Sequence, residues 1–172
     1  MAALSFPIPK KNTMFEFDRR LLVEISPQRL SVRNLKSGLA VSEIPELAID
    51  TKARKVLAMG AQARAAAAQA PQCEVVNPFA HPRSLVSDFT SGELLLRAFV
   101  RRASPRHWLH PAPLVFLHPV GDPEGGYTQI ERRALREMAL GAGARNVALC
   151  IGGLPSDREM LEMKMTARFA QE

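Results

Sequence analysis

Between Leu114 and Ile151 the sequence runs apolar strand, amphipathic helix, apolar strand, and that order constrains the fold more than any other feature. Leu114 to Leu117 is a continuous apolar run, the form of a strand covered on both faces. Thr128 to Gly141 follows as a helix, with Ile130, Ala134, Leu135 and Met138 assigned to its inner side. Gly141-Ala142-Gly143-Ala144 stops it, and Asn146 to Ile151 is apolar again. Two strands joined through a helix pair in parallel, so the chain is expected to build an α/β fold, a sheet with helices packed on it.

Upstream, Leu21 to Ile25, Leu30 to Asn34 and Leu39 to Glu43 read as three short strands. Leu30 and Val32 alternate with Ser31 and Arg33, and Lys36-Ser37-Gly38 punctuates like a hairpin turn, so an antiparallel meander is expected to open the fold. Val56 to Met59 is a further strand, and Ala61 to Gln69 is a helix of alanines that Pro71 ends. After a loop from Asn77 to Pro82, Ser87 or Asp88 caps a helix running to about Ala103. Its Leu95, Leu96, Phe99 and Val100 face a core, and Arg97, Arg101 and Arg102 are left for solvent. Pro155-Ser156 starts a last helix, Asp157 to about Phe169, whose Met160, Leu161, Met163, Met165 and Phe169 form an apolar stripe expected to pack within the chain. The mixed sheet and its helices make one domain over residues 14–172, after a flexible segment at 1–13.

Composition narrows the function classes. With 47% apolar and 23% charged residues the chain can bury a core, and no apolar run approaches the roughly 18 to 20 residues that span a bilayer. Lys10 and Lys11 follow the N-terminal apolar stretch, the reverse of a secretory signal, so a cytoplasmic location is expected. The net charge of +6 is scattered over pairs such as Arg19-Arg20 and Arg132-Arg133 with few aromatics between them, which argues against nucleic acid. Cys73, Cys150 and the four histidines have no metal-ligand spacing, and Cys150 reads as a small buried side chain. Gly125-Gly126 and Gly152-Gly153 lack a phosphate-loop frame and read as turns.

Three strings carry a resemblance. Tyr127 to Leu149 reads YTQIERRALREMALGAGARNVAL, Gly38 to Asp50 reads GLAVSEIPELAID, and Leu85 to Ala103 reads LVSDFTSGELLLRAFVRRA. Together they resemble the bacterial actin family, MreB, over about Met14 to Leu149. The resemblance implies the N-terminal half of an actin-like, ribonuclease H-like ATPase fold, with the half that closes over the nucleotide lying outside these 172 residues. In the family the first strand turn reads Asp-Leu-Gly-Thr-Ala-Asn-Thr, where the aspartate holds a metal and backbone N–H groups reach phosphate. Here the matching stretch is Glu24-Ile25-Ser26-Pro27-Gln28-Arg29-Leu30. Glu24 remains as a vestigial carboxylate, while Ser26 and Pro27 replace the residues that cradle phosphate. The family's Glu-Glu-Pro, which positions water, is matched by Cys150-Ile151-Gly152-Gly153.

The resemblance therefore implies a non-catalytic chain without a cofactor. Its partners would be full-length MreB or other cell-shape proteins, at the inner face of the plasma membrane. Ser104 to Pro111 sits where the family carries a membrane-insertion loop, and Trp108 and Leu109 beside Arg106 and His107 suit either a lipid interface or a fold back onto the core. Two alternatives stand beside this reading: a weak ATP-binding or ATP-hydrolysing protein using Glu24, and a degenerate paralogue without a dedicated role.

Overall fold

The computed structural model describes residues 19–81, 84–104, 111–121, 123 and 125–163. In chain order these form β1 (Arg20–Ile25), β2 (Leu30–Asn34), β3 (Ala40–Glu43), β4 (Leu47–Asp50), β5 (Lys55–Met59), a 3-10 turn at Gly60–Gln62, α1 (Ala63–Gln69), β6 (Cys73–Val76), α2 (Phe89–Ala103), β7 (Leu114–Pro119), α3 (Gln129–Gly141), β8 (Asn146–Leu149) and α4 (Asp157–Glu162). The principal sheet has the order β3-β2-β1-β7-β8. Its first three strands are the antiparallel meander, with Val23 opposite Val32 and Val32 opposite Val41. β7 lies parallel to β1, with Leu22 beside Phe116, and β8 parallel to β7, with Phe116 beside Ala148. The crossover read from residues 114–151 is thus present, and the meander supplies the strand it builds on.

A second sheet, β5-β4-β6, is antiparallel throughout and has α1 against it. Sequence reading found β5 and α1 but missed β4 and β6, which are four residues each and mix Asp50 and Glu74 with apolar residues. The two sheets are joined through Glu43 at the end of β3. Its carboxylate accepts from Arg102 Nη2 of α2 at 2.5 Å and from the Ala61 backbone N–H at 3.0 Å. Gly60, at φ +69°, passes so close beneath that carboxylate that a Cβ there would collide with it.

Strand alternation sends Leu21, Val23 and Ile25 to one face and Leu22 to the other. The first face forms the main core with Leu95, Leu96 and Phe99 of α2 and Leu135 and Met138 of α3. Asp88 is the N-cap of α2, accepting from the Ser91 N–H at 3.1 Å. Three assignments need correction, the first being the last helix, which ends at Glu162 with Met163 already extended instead of running on to about Phe169. Ile130 is 81% exposed, because at 100° per residue it lies about 140° around α3 from the buried Leu135, off the inward stripe. Arg97 is not left to solvent: its Nη2 donates to the Gly141 carbonyl at 2.8 Å and its guanidinium pairs with Glu93, tying α2 to the end of α3.

The second face carries Leu22, Leu35, Leu114, Phe116, Ala148 and Cys150, and α4 covers it with Met160, which is fully buried, and with Leu161 and Met163. The described part of the Met-rich stripe packs within the chain, as expected; Met165 and Phe169 lie outside the described residues. α4 starts at a capping box between Ser156 and Glu159. Arg33 of β2 holds its first turn through a bidentate pair with Asp157 at 2.6 and 2.8 Å. Arg20, 3% exposed, donates from Nη1 to the carbonyls of Met160 and Met163 and so satisfies its last turn.

Candidate functional site

In an open α/β sheet, ligands bind at the carboxyl ends of the parallel strands. Here that edge is formed by the last residues of β1, β7 and β8: Glu24 and Ile25, His118 and Pro119, and Leu149 leading into Cys150. Glu24 is partly exposed, opposite Ser31 across the antiparallel pair and beside His118 across the parallel one. Its charge is one of several influences on Arg33. The hydrogen bond to Asp157 raises that guanidinium above its ordinary pKa, partial burial opposes, and the charges of Asp157 and Glu24 add to the rise. Glu24 therefore sits within an electrostatic cluster on the face that α4 covers.

The turn after β1 is closed upon itself. The Ser26 N–H donates to the Arg29 carbonyl at 2.9 Å, and the Arg29 N–H donates to Ser26 Oγ at 3.0 Å and to the Ser26 carbonyl at 3.3 Å. Pro27 has no N–H, and its carbonyl accepts from Asn77 Nδ2 at 2.8 Å, which pins the turn to the loop after β6. Of four backbone positions, two donors close the turn, one does not exist, and only that of Gln28 is left. A phosphate cradle needs several N–H groups converging outward, and this turn has already used its own.

At the end of β8 the run Cys150-Ile151-Gly152-Gly153 carries no carboxylate, and the ionisable ring beside it is that of His118. His118 Nδ1 lies 2.8 Å from the Cys150 carbonyl, which can only accept, so Nδ1 carries the proton in that contact. Burial pushes the Cys150 thiol above its ordinary pKa, and its Sγ sits 3.8 Å from the Ala148 carbonyl. A protonated, buried thiol is a poor nucleophile. Among the described residues no group of three or more His, Cys, Asp and Glu side chains could hold a metal ion, and no helix is long and apolar enough to cross a membrane.

Trp108 and Leu109 lie outside the described residues. Both ends of their segment are held by one side chain that sequence reading had passed over: Arg19 donates from Nε to the Pro111 carbonyl at 3.1 Å and from Nη1 to Ser104 Oγ at 3.1 Å.

Residues 26–153 match the model of the MreB/Mbl protein family. The chain belongs to the MreB/Mbl family. It is 31% identical over 146 residues to the cell shape-determining protein MreB of Pasteurella multocida, covering 85% of this chain and 36% of that protein. To MreB of Escherichia coli strain K12 it is 41% identical over 66 residues, 38% of this chain and 18% of the relative. Among solved structures it resembles MreB 5 of Spiroplasma citri bound to AMPPNP, with a TM-score of 0.60 at 19% identity over 77% of this chain and 38% of that one. It also resembles MamK in a double helical filament, with a TM-score of 0.55 at 13% identity over 76% and 40% of the two chains. These likenesses establish the fold as the MreB, actin-like one. The chain spans little more than a third of the length of the Pasteurella relative.

Proposed function

We propose that this MreB-family chain is non-catalytic and acts on the bacterial cell-shape cytoskeleton through protein contacts, with full-length MreB as its principal partner. The reading is carried by the turn at residues 26–29. Two of its three N–H donors, those of Ser26 and Arg29, are consumed internally, and Pro27 removes a fourth that a phosphate-binding loop would use. Cys150-Ile151-Gly152-Gly153 lacks a carboxylate where the family reading places the water-orienting one, which points the same way. A fold retained while the chemistry of its site is replaced leaves surfaces as the seat of function. The relatives' description as cell shape-determining proteins gives the process, and MamK, solved as a double helical filament, gives a precedent for this fold meeting copies of itself.

Trp108 and Leu109 add a contact with the membrane surface at the cytoplasmic face, and nucleic acid has no part in the reading. One observation favours the alternative of weak ATP binding: Glu24 keeps a partly exposed carboxylate at the carboxyl edge of the parallel strands. Co-sedimentation with polymerising full-length MreB tests the principal reading. Recovery of the chain in the pellet in proportion to polymer supports it, and a supernatant fraction unchanged by polymer overturns it.

A further inference from the structure

Ile151 to Pro155, which join β8 to α4, make no hydrogen bond or ion pair among the described residues. Gly152 and Gly153 are exposed, Gly152 at φ +75°, and nothing lies within 4 Å of where either would carry a Cβ. Two glycines in open space form a swivel. α4 is therefore held by its own contacts rather than by its connector, and Met160 is the buried residue among its six.

Those contacts have the form of a receptor for a helix. Arg33 gives both Nη groups to Asp157 in the first turn. Glu24 lies on the same face, and Arg33 nonetheless directs both of these bonds to Asp157. At the other end the buried Arg20 donates from Nη1 to the Met160 carbonyl and, at 2.9 Å, to the Met163 carbonyl. Between the two arginines Leu22, Leu114 and Phe116 make an apolar floor that takes Met160. Six residues at 1.5 Å each span about 9 Å, so a helix of under two turns is met by a cation at each end and by apolar surface in the middle. This is the helix-in-groove mode of recognition. The charges are complementary as well, since α4 sets Asp157, Glu159 and Glu162 against one Arg158. When α4 swings out, Arg20 loses two acceptors and the floor is wetted, which favours any second helix that restores both.

We propose that this face is a helix-docking groove which α4 occupies in cis. In trans it takes a short amphipathic helix of a partner protein, with an acid in its first turn and Met or Leu three residues on. The groove is separate from the turn at residues 26–29, and its occupancy can be measured whether or not MreB is a partner.

The probe is a fluorescein-labelled synthetic peptide, Pro155–Met163, titrated with the whole chain and followed by anisotropy. Parent protein should bind it weakly, because the tethered α4 competes at high effective concentration. Asp157→Lys and Arg33→Gln break the same ion pair, between side chains 52% and 33% exposed, and both variants should fold. Each should open α4 about fivefold more often, read as faster thiol labelling of Cys150 with Cys73 unchanged. Asp157→Lys leaves Arg33 to the peptide's acid and should bind the peptide about fivefold more tightly. In Arg33→Gln the easier opening is offset by the lost grip, leaving the affinity as in the parent. A peptide carrying Met160→Asp should not bind. Faster labelling in both variants, with a gain in peptide affinity confined to Asp157→Lys, supports the groove. Unchanged labelling, no gain in either variant, or an equal gain in both overturns it.

Discussion

Replacing Met160 by alanine tests whether α4 is an integral cover of the sheet. Met160 is fully buried against Leu22, Leu114, Phe116, Ala148 and Cys150, on an element of only six residues. Truncating a buried methionine costs about 2–5 kcal/mol, the spread reflecting how far the site collapses. A short helix held by Arg20 and Arg33 at its ends can settle inward, which places the change near the lower limit, about 2 kcal/mol. For a chain of this size that lowers the melting temperature by roughly 4–8 °C. The same variant should open α4 locally, and Cys150 reports it, being 9% exposed beneath that helix while Cys73 is more accessible. With only two cysteines in the chain, thiol labelling followed by peptide mass analysis separates them. The expected pattern is faster labelling of Cys150 with Cys73 unchanged. A melting temperature within one degree of the parent, together with an unchanged Cys150 rate, would refute the description of α4 as a packed cover.

Other perturbations follow from the same contacts. Asp157 is held below its ordinary pKa by its hydrogen bond to Arg33, against slight desolvation and with the Arg33 charge adding, so its contribution is present above about pH 4 and lost as pH falls further. Acid titration of stability should therefore be shallower in Asp157→Asn below that pH, and identical slopes would remove the pair from the account. Gly60→Ala should destabilise by about 2 kcal/mol or more, since it adds left-handed backbone strain to a collision with Glu43, whereas Gly38→Ala, at φ +72° with open space around it, should cost only about 1 kcal/mol in urea unfolding. Ile130→Ser should change the unfolding free energy measured in urea by no more than about 0.5 kcal/mol, because the side chain is already 81% exposed.

Periodicity made much of the fold legible. The alternation of Leu30, Val32 and their polar neighbours, and the 3.6-residue spacing in α2, are local signals, and the elements they name are present. β4 and β6 were not legible because four residues with an acidic member carry too little pattern, and they exist through pairing with each other across the sheet. Ile130 was misplaced because apolar character alone does not fix its angle around a helix. Of the site, Pro27 was readable, since a missing N–H is a property of the residue itself. The closed hydrogen bonds of its turn and the pin from Asn77 were not. Nor were the clamps of Arg20 and Arg33, which join positions 140 and 124 residues distant. Arg20 stood in the sequence as one of a basic pair, and only the tertiary structure makes it a buried cap.

With the Ser26 and Arg29 donors spent within it and no N–H at Pro27, the turn at residues 26–29 is expected not to receive a nucleotide phosphate. Isothermal titration of the purified chain with ATP and magnesium, beside a full-length MreB as positive control, tests it directly. No heat of binding by this chain is expected at nucleotide concentrations that saturate the control. Micromolar, magnesium-dependent binding that Glu24→Ala abolishes would contradict it.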